Sequence, residues 1–384
     1  MKWKIPLFKI TTDEEDFKNI KKVLQRKMDW AIGPEIPEFE KRIAKYVGTK
    51  FCTTFNSGTS AGHAALLVAE INSGNIIVPS FTFIATSNWP LMVNSKPKFS
   101  DIEEKNFGLD PQKLNNSITK TTKAVIPIHY GGLACKIDEI SEICKKKKIL
   151  LVEDCAEALG AKFKGKHVGN FGEMSIFSFA PNKIITTGEG GAVCTNSEKF
   201  YKKLQLIRSY GRLRNQKYFK TNERPNYASL GYNWRMSSMT AALGLSQFDK
   251  IEKIIQSRRS HAKYFSNKLK KIQKIKLPSE PKQQKHVYQL YTIRLENSKI
   301  RSDLQRFLSK HGIMTKVFFD PVHRYNFYKK YKIKQNDSLP VTKLISNQAL
   351  SLPLFPGLKS EEIRYICDSI QEFFELDLHK SKRK

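Results

Sequence analysis

The sequence predicts an α/β fold, a mostly parallel sheet covered by helices on both faces, followed by a smaller C-terminal α+β unit. Two observations carry this. From about residue 50, short β-branched or aromatic runs alternate with helix-like stretches, the pattern of parallel strands joined by crossover helices. After Arg235 the alternation gives way to one long helical pattern and then to mixed strand and helix signals. A chain of 384 residues, 40% hydrophobic and 27% charged, is long enough for two packed units and too apolar for disorder. The change of pattern divides it into a large unit over 1–250, with residues 1–12 as an N-terminal arm, and a small unit over 251–384 ending in a basic tail.

Strands are expected in NIIVPSF (75–81), KPKFSDI (96–102), KAVIPIHY (123–130), KKILLVEDC (147–155), GEMSIFSFA (172–180) and GGAVCTN (190–196). Helices are expected at Ala61 to Ile71 and at Ile137 to Lys148. In the second, acidic residues come early and four lysines late, as the helix dipole favours, so that lysine run reads as a helix end. Residues 236–271 keep apolar positions at three- and four-residue spacing and read as one helical stretch bridging the two units. Beyond it, HVYQLYTIRLE (286–296) reads as a strand and SDLQRFLSKHG (302–312) as a helix ended by Gly312. IMTKVFF (313–319) reads as a strand, SEEIRYICDSIQEFFE (360–375) as an amphipathic helix and HKSKRK (379–384) as a frayed tail.

The net charge of +31 favours acidic partners such as nucleotides, nucleic acid or an anionic membrane. Most of it is lysine and reads as solvated surface. No helix-turn-helix, RNP or zinc-ligand pattern supports nucleic-acid binding. Six cysteines without a C-x-x-C pair read as buried thiols in a reducing compartment, with no metal site. No window approaches a membrane span and the first residues lack a signal-peptide core, so a cytoplasmic protein is expected.

Three segments hold the candidate chemistry. Asn56-Ser57-Gly58-Thr59-Ser60 precedes an Ala-rich helix, and such a start is either a plain N-cap or a phosphate cradle of free backbone N–H groups. Asp154 stands where an apolar strand should stop, the edge at which open parallel sheets bind ligands; it is either a helix cap or a carboxylate for a cationic ring nitrogen or a metal. Lys183 follows the strand expected at Met174 to Phe179, and apolar surroundings would ease deprotonation of its amine for imine chemistry. Together they supply what pyridoxal 5′-phosphate requires: a phosphate site, an acid for the pyridine nitrogen and a lysine for the aldehyde.

The motifs NSGTSA (56–61), VPSFTFIAT (78–86), HYGG with Asp138, VEDCAEALGA (152–161), SIFSFAPNKIITTGEGGAV (175–193), LGYNWRMSSMTAALGLSQ (230–247) and ALSLPLFPGL (349–358) occur in order along the chain. In these the sequence resembles the DegT/DnrJ/EryC1/StrS sugar aminotransferases, a branch of the fold type I pyridoxal-phosphate enzymes. The resemblance implies a seven-stranded, mostly parallel sheet and a homodimer with shared active sites. It implies that Lys183 bonds the cofactor and shuttles a proton, and that Asp154 holds the pyridine nitrogen. Gly58, Thr59 and Ser178 match phosphate-binding positions, Phe83 a ring stacked on the cofactor, and Asn233 a residue reaching the phosphate from the neighbouring subunit. Glu157 stands near the cofactor's ring hydroxyl where relatives usually carry Gln or His, and a second carboxylate there would repel a phenolate. His323 and Arg324 are candidate substrate contacts, a surface loop being the plain alternative.

The reaction implied is transfer of an amino group, from glutamate, to a nucleotide-linked keto-sugar, with a 4-keto group favoured and 3-amination as the variant. Some relatives with His in place of the lysine are sugar dehydratases, and Lys183 argues against that reading. A non-catalytic regulatory or nucleic-acid-binding member of the same fold is the rival from another class, opposed by the presence of both Lys183 and Asp154.

Overall fold

The computed structural model describes residues 3–213, 222, 224, 226–331 and 338–381. Helix α1 (Glu14–Gln25) opens with a reciprocal capping box between Asp13 and Asp16, and α2 (Glu35–Val47) stops at Gly48, whose φ of +85° suits a residue without Cβ. Strand and helix then alternate: β1 (Phe51–Phe55), α3 (Gly58–Val68), β2 (Asn75–Pro79), α4 (Ile84–Met92), β3 (Lys96–Ser100), α5 (Pro111–Ser117), β4 (Thr122–Val125), α6 (Ile137–Lys147) and β5 (Leu150–Asp154). A short hairpin, β6 (Lys162–Phe163) and β7 (Lys166–His167), precedes β8 (Met174–Ser178), β9 (Gly191–Thr195) and α7 (Glu198–Ile207).

Seven strands form one sheet in the order β1-β9-β8-β5-β4-β2-β3. The run from β3 to β8 is parallel, while β9 lies antiparallel to both β8 and β1. Alternate side chains serve opposite faces, as the two-residue period of a strand requires. Ile76, Val78, Val152 and Ile176 join one apolar core with α3, α4 and α7; Ile77, Leu151 and Phe177 join another with α2, α5 and α6. Both faces are therefore covered, and the expected α/β class with its mostly parallel sheet is what the chain forms.

The stretch at 236–271 is not one helix but two, α8 (Ser238–Asp249) and α9 (Ile251–Leu269), broken at Lys250 (φ −100°, ψ 1°). There follow β10 (Ile275–Lys276), β11 (Gln284–Lys285), β12 (Tyr291–Leu295), α10 (Ser298–Lys310), α11 (Asn326–Lys330), α12 (Pro340–Gln348), β13 (Ala349–Leu352) and α13 (Ser360–Ser381). Strands β10, β12 and β13 make a small antiparallel sheet, whereas β11 extends the β6–β7 hairpin. Helix α9 serves two cores, giving Ile251, Ile254 and Ile255 to the large sheet and Ala262, Phe265 and Leu269 to the small one. Ile5 also lies in the small core, paired with Ile313.

Three further expectations are corrected. IMTKVFF forms no strand: Ile313 and Lys316 make isolated bridges to Ile5 and Ser351, and Ile313 and Phe319 sink into two different cores, so the apolar run spans a junction instead of lying along a sheet. The Ala-rich helix runs Gly58–Val68, starting three residues earlier than expected because Ser57 caps it. The basic end does not fray at His379, since α13 continues to Ser381; residues 382–384 lie outside the described residues.

Candidate active site

The candidate groups gather at the C-terminal edge of β5 and β8, next to the start of α3. Ser57 caps α3 by accepting from Ser60 N–H at 3.1 Å, and its Oγ lies 2.9 Å from that of Ser60. The N–H groups of Gly58 and Thr59 in the first turn have no carbonyl of the same helix to bond, so they and the positive end of the dipole face outward. A Cβ on Gly58 would come within 3.0 Å of the Ser178 Cβ, and one on Gly191 within 2.5 Å of the Ser57 carbonyl oxygen. These two glycines let the helix start close onto the end of β8 and place the Ser178 hydroxyl beside it. Free donors, a hydroxyl and a helix N-terminus fit a phosphate group.

Asp154 ends β5 and is 2% exposed. Its Oδ2 accepts from Thr86 Oγ1 at 2.7 Å and its Oδ1 from Ala156 N–H at 3.1 Å, while Thr82 in turn lies 2.9 Å from Thr86. Burial pushes the carboxyl above its usual range, against the Thr86 hydroxyl, the Ala156 N–H and the charge of Lys183. A cationic ring nitrogen brought against it would offset that burial, so the group fits the pyridine edge of the cofactor. Next to it, Glu153 points to the opposite face of β5 and accepts from His129 and from the N–H groups of Gly169, Phe171 and Gly172 at 2.7–3.1 Å. Cys135 N–H donates to His129 Nδ1, which leaves Nε2 as the ring donor to Glu153. This buried pair braces the strand end that carries Asp154.

Lys183 lies in the loop after β8, mostly buried, with its Nζ 3.8 Å from Glu157 Oε1. Glu157 is 4% exposed, and its Oε2 accepts from Gly131 N–H at 2.8 Å. Burial raises its carboxyl, Lys183 and the Gly131 N–H work against the rise, and Asp154 adds to it. One amine thus faces two buried carboxyls.

Phe83 caps α4 and is 58% exposed, with its ring 6.2 Å from that of Phe319. His323 reaches the same loop: Ser80 Oγ lies 2.6 Å from His323 Nδ1, and Val322 N–H donates to Ser80 O. Arg324 is exposed, and Asn233 stands apart, exposed on the loop before α8 with its backbone bridged to Ser209. The structure therefore brings Gly58 and Ser178 together at the helix start, and Lys183, Asp154 and Glu157 into one cluster; it ties His323 to the loop that bears Phe83. Sequence reasoning gave no role to Thr86, although it lies in the VPSFTFIAT motif three residues after Phe83, one helical turn on, where α4 aims it at Asp154.

Sheet order, double covering and this cluster at the strand ends define the class, the fold type I enzymes that work with pyridoxal 5′-phosphate. The chain belongs to the DegT/DnrJ/EryC1/StrS aminotransferase family, whose model matches residues 10–371. It is 33% identical over 343 residues to GDP-perosamine synthase of Escherichia coli O157:H7, covering 89% of this chain and 91% of that protein. It is 30% identical over 354 residues to the UDP-4-amino-4,6-dideoxy-N-acetyl-beta-L-altrosamine transaminase of Campylobacter jejuni strain 81-176, covering 89% and 90%. Among solved structures, the putative sugar aminotransferase Spr1654 of Streptococcus pneumoniae in its PLP form superposes with a TM-score of 0.90 at 26% identity, covering 97% of this chain and 98% of that one; a PMP form of it has also been solved. The chain is accordingly a nucleotide-sugar aminotransferase, and its cofactor is pyridoxal 5′-phosphate.

Proposed function

We propose that this enzyme moves an amino group from glutamate to C4 of a nucleotide-linked keto-sugar, for a surface polysaccharide or glycan. It works as a cytoplasmic homodimer of two-domain subunits (1–250 and 251–384). The observation that carries the residue assignment is the Lys183 amine 3.8 Å from the buried Glu157 carboxyl, with its charge acting on the buried Asp154 carboxyl as well. The 4-position is supported by the name of the Campylobacter relative.

When bound, pyridoxal 5′-phosphate supplies an aldehyde that exchanges amino groups and a protonated ring that withdraws electrons. Gly58, Thr59 and Ser178 would hold its phosphate, Asp154 its ring nitrogen, Glu157 the side bearing the ring hydroxyl, and Phe83 its exposed face. Lys183 Nζ removes the proton from the α-carbon of the amino donor and later delivers one to the sugar carbon that receives nitrogen. Asp154 stays ionised opposite a cation, and Thr86 keeps its carboxylate oriented. His323, with Arg324 outside it, takes the nucleotide-sugar, while Asn233 completes the phosphate site of the neighbouring subunit. The exposed apolar side chains Phe83, Tyr227 and Leu230, at 58, 51 and 80% exposure, support cover by a partner subunit.

Purified enzyme should be yellow, lose its visible band on borohydride reduction and carry the cofactor's mass on Lys183. Glutamate should release one 2-oxoglutarate per site, and a keto-sugar nucleotide should then take up the nitrogen. A label on any other lysine, or sugar dehydration with no oxoglutarate, would overturn the assignment.

A further inference from the structure

Residues 286–290, between β11 and β12, bind the large unit at three points. Val287 N–H donates to Gly132 O and Leu290 N–H to Gly131 O, each at 3.1 Å. The side-chain amide of Gln289 donates to the carbonyl oxygen of Asn182. Those acceptors lie next to the candidate site: Gly131 gives its own N–H to Glu157, and Asn182 directly precedes Lys183. The segment is fixed from behind by Arg258 of α9, whose Nη1 donates to the carbonyl oxygens of Tyr288, Gln289 and Leu354 at 3.3, 3.4 and 3.0 Å.

The other end of the Gln289 amide separates a positioning role from a purely structural one. Gln289 is 4% exposed, and its Oε1 finds no partner among the described residues. Turning the amide round offers no relief, because Oε1 would then face the Asn182 oxygen, acceptor against acceptor. A buried acceptor left unpaired costs stability, so packing alone would be served as well by an apolar side chain of this size. What only the amide supplies is a directed hold on the peptide that carries Lys183.

We propose that Gln289 is a positioning residue for Lys183, setting through the Asn182 carbonyl the direction from which the amine enters the site, while the backbone of 286–290 sets its distance from Glu157. This rests on the reading of Lys183 as the amine that bonds the cofactor. The small unit thereby takes part in aligning the reacting amine without touching substrate.

Gln289→Leu removes the donor together with the orphaned acceptor and keeps the side chain's bulk; Gln289→Glu keeps the shape and sets an acceptor against the carbonyl. Misplacement of a reacting group by about 1 Å costs up to roughly 10²-fold in rate, so kcat should fall by about 10-fold or more in both variants while KM for the sugar nucleotide stays within about twofold. Two readouts follow the amine itself. The pH midpoint of the visible band should move in the holoenzyme. In the apoenzyme, trace labelling with acetic anhydride should show the reactivity of Lys183 relative to the other lysines changed in both variants, as the amine turns from its wild-type direction. Thermal unfolding reports whether each variant remains folded. Two folded variants with an unchanged band midpoint, unchanged Lys183 labelling and unchanged kcat would overturn the proposal, even with Lys183 carrying the cofactor. Absence of cofactor from Lys183 in the wild-type enzyme would instead overturn the reading beneath it.

Discussion

Lys183 Nζ stands 3.8 Å from Glu157 Oε1, and the other oxygen of that carboxyl is held by the backbone N–H of Gly131. The amine is therefore met by an acid that cannot turn away without giving up a 2.8 Å hydrogen bond. Removing charge from one partner changes the setting of the other and of their neighbour Asp154.

Lys183→Ala should reduce turnover by at least the roughly 10²–10⁴-fold that a positioned proton carrier contributes. The measurement is 2-oxoglutarate release under saturating glutamate, together with loss of the borohydride-fixed mass. Exogenous methylamine restoring part of the rate would support the proton-transfer role.

Asp154→Asn keeps size and the Thr86 contact but removes the charge opposed to a ring cation. Turnover is expected to fall by about 10²–10³-fold, in line with losing one preorganised electrostatic partner in a buried site. Cofactor retention, read by absorbance after gel filtration, should be only weakened. Near-normal turnover would show that the ring lies elsewhere.

Glu157→Gln tests the cost of the second carboxyl through pH. A carboxyl raised by burial binds its proton more tightly folded than unfolded, so folding stability drops as pH climbs from the unfolded value, about 4, through the raised one. In the apoenzyme the variant should melt higher than wild type at neutral pH, with the gap closing as pH approaches 4. A gap that widens on acidification would reverse the sign and exclude burial as the cause.

Gly58→Ala gains helix propensity, about 1 kcal/mol in an exposed interior, yet its Cβ would press the Ser178 Cβ at 3.0 Å. The helix start must move off β8, so cofactor affinity should fall by about 10-fold or more, a loss of some 1.4 kcal/mol per decade, while stability stays near wild type. Titrating apoenzyme with pyridoxal 5′-phosphate checks this; unchanged affinity would place the phosphate away from this turn.

Much of the large sheet was legible because its strands are short apolar runs closed by a polar or turn residue, as LLVED and MSIFS show. Strand β1, FCTTF, was not singled out, since its buried Thr53 and Thr54 break the apolar signal; their partners are Gln205, 152 residues away on α7, and Glu40 on the preceding helix α2. The break at Lys250 was hidden because apolar spacing continues through it. In the site, Lys183 and Asp154 were found through their neighbours in the chain. Thr86 and Gln289 escaped because their meaning lies in what they touch 68 and 107 residues away. The hold of Arg258 on three carbonyls is likewise invisible until the chain is folded.

Helix α9 leaves no slack joint between the two interiors it lines. Its first turns are a wall of one and its last turns a wall of the other, like a beam shared by adjoining rooms. Loosening either room pulls on the beam and, through the guanidinium halfway along it, on the segment that holds the peptide before Lys183. Heat should accordingly extinguish colour and structure in a single event.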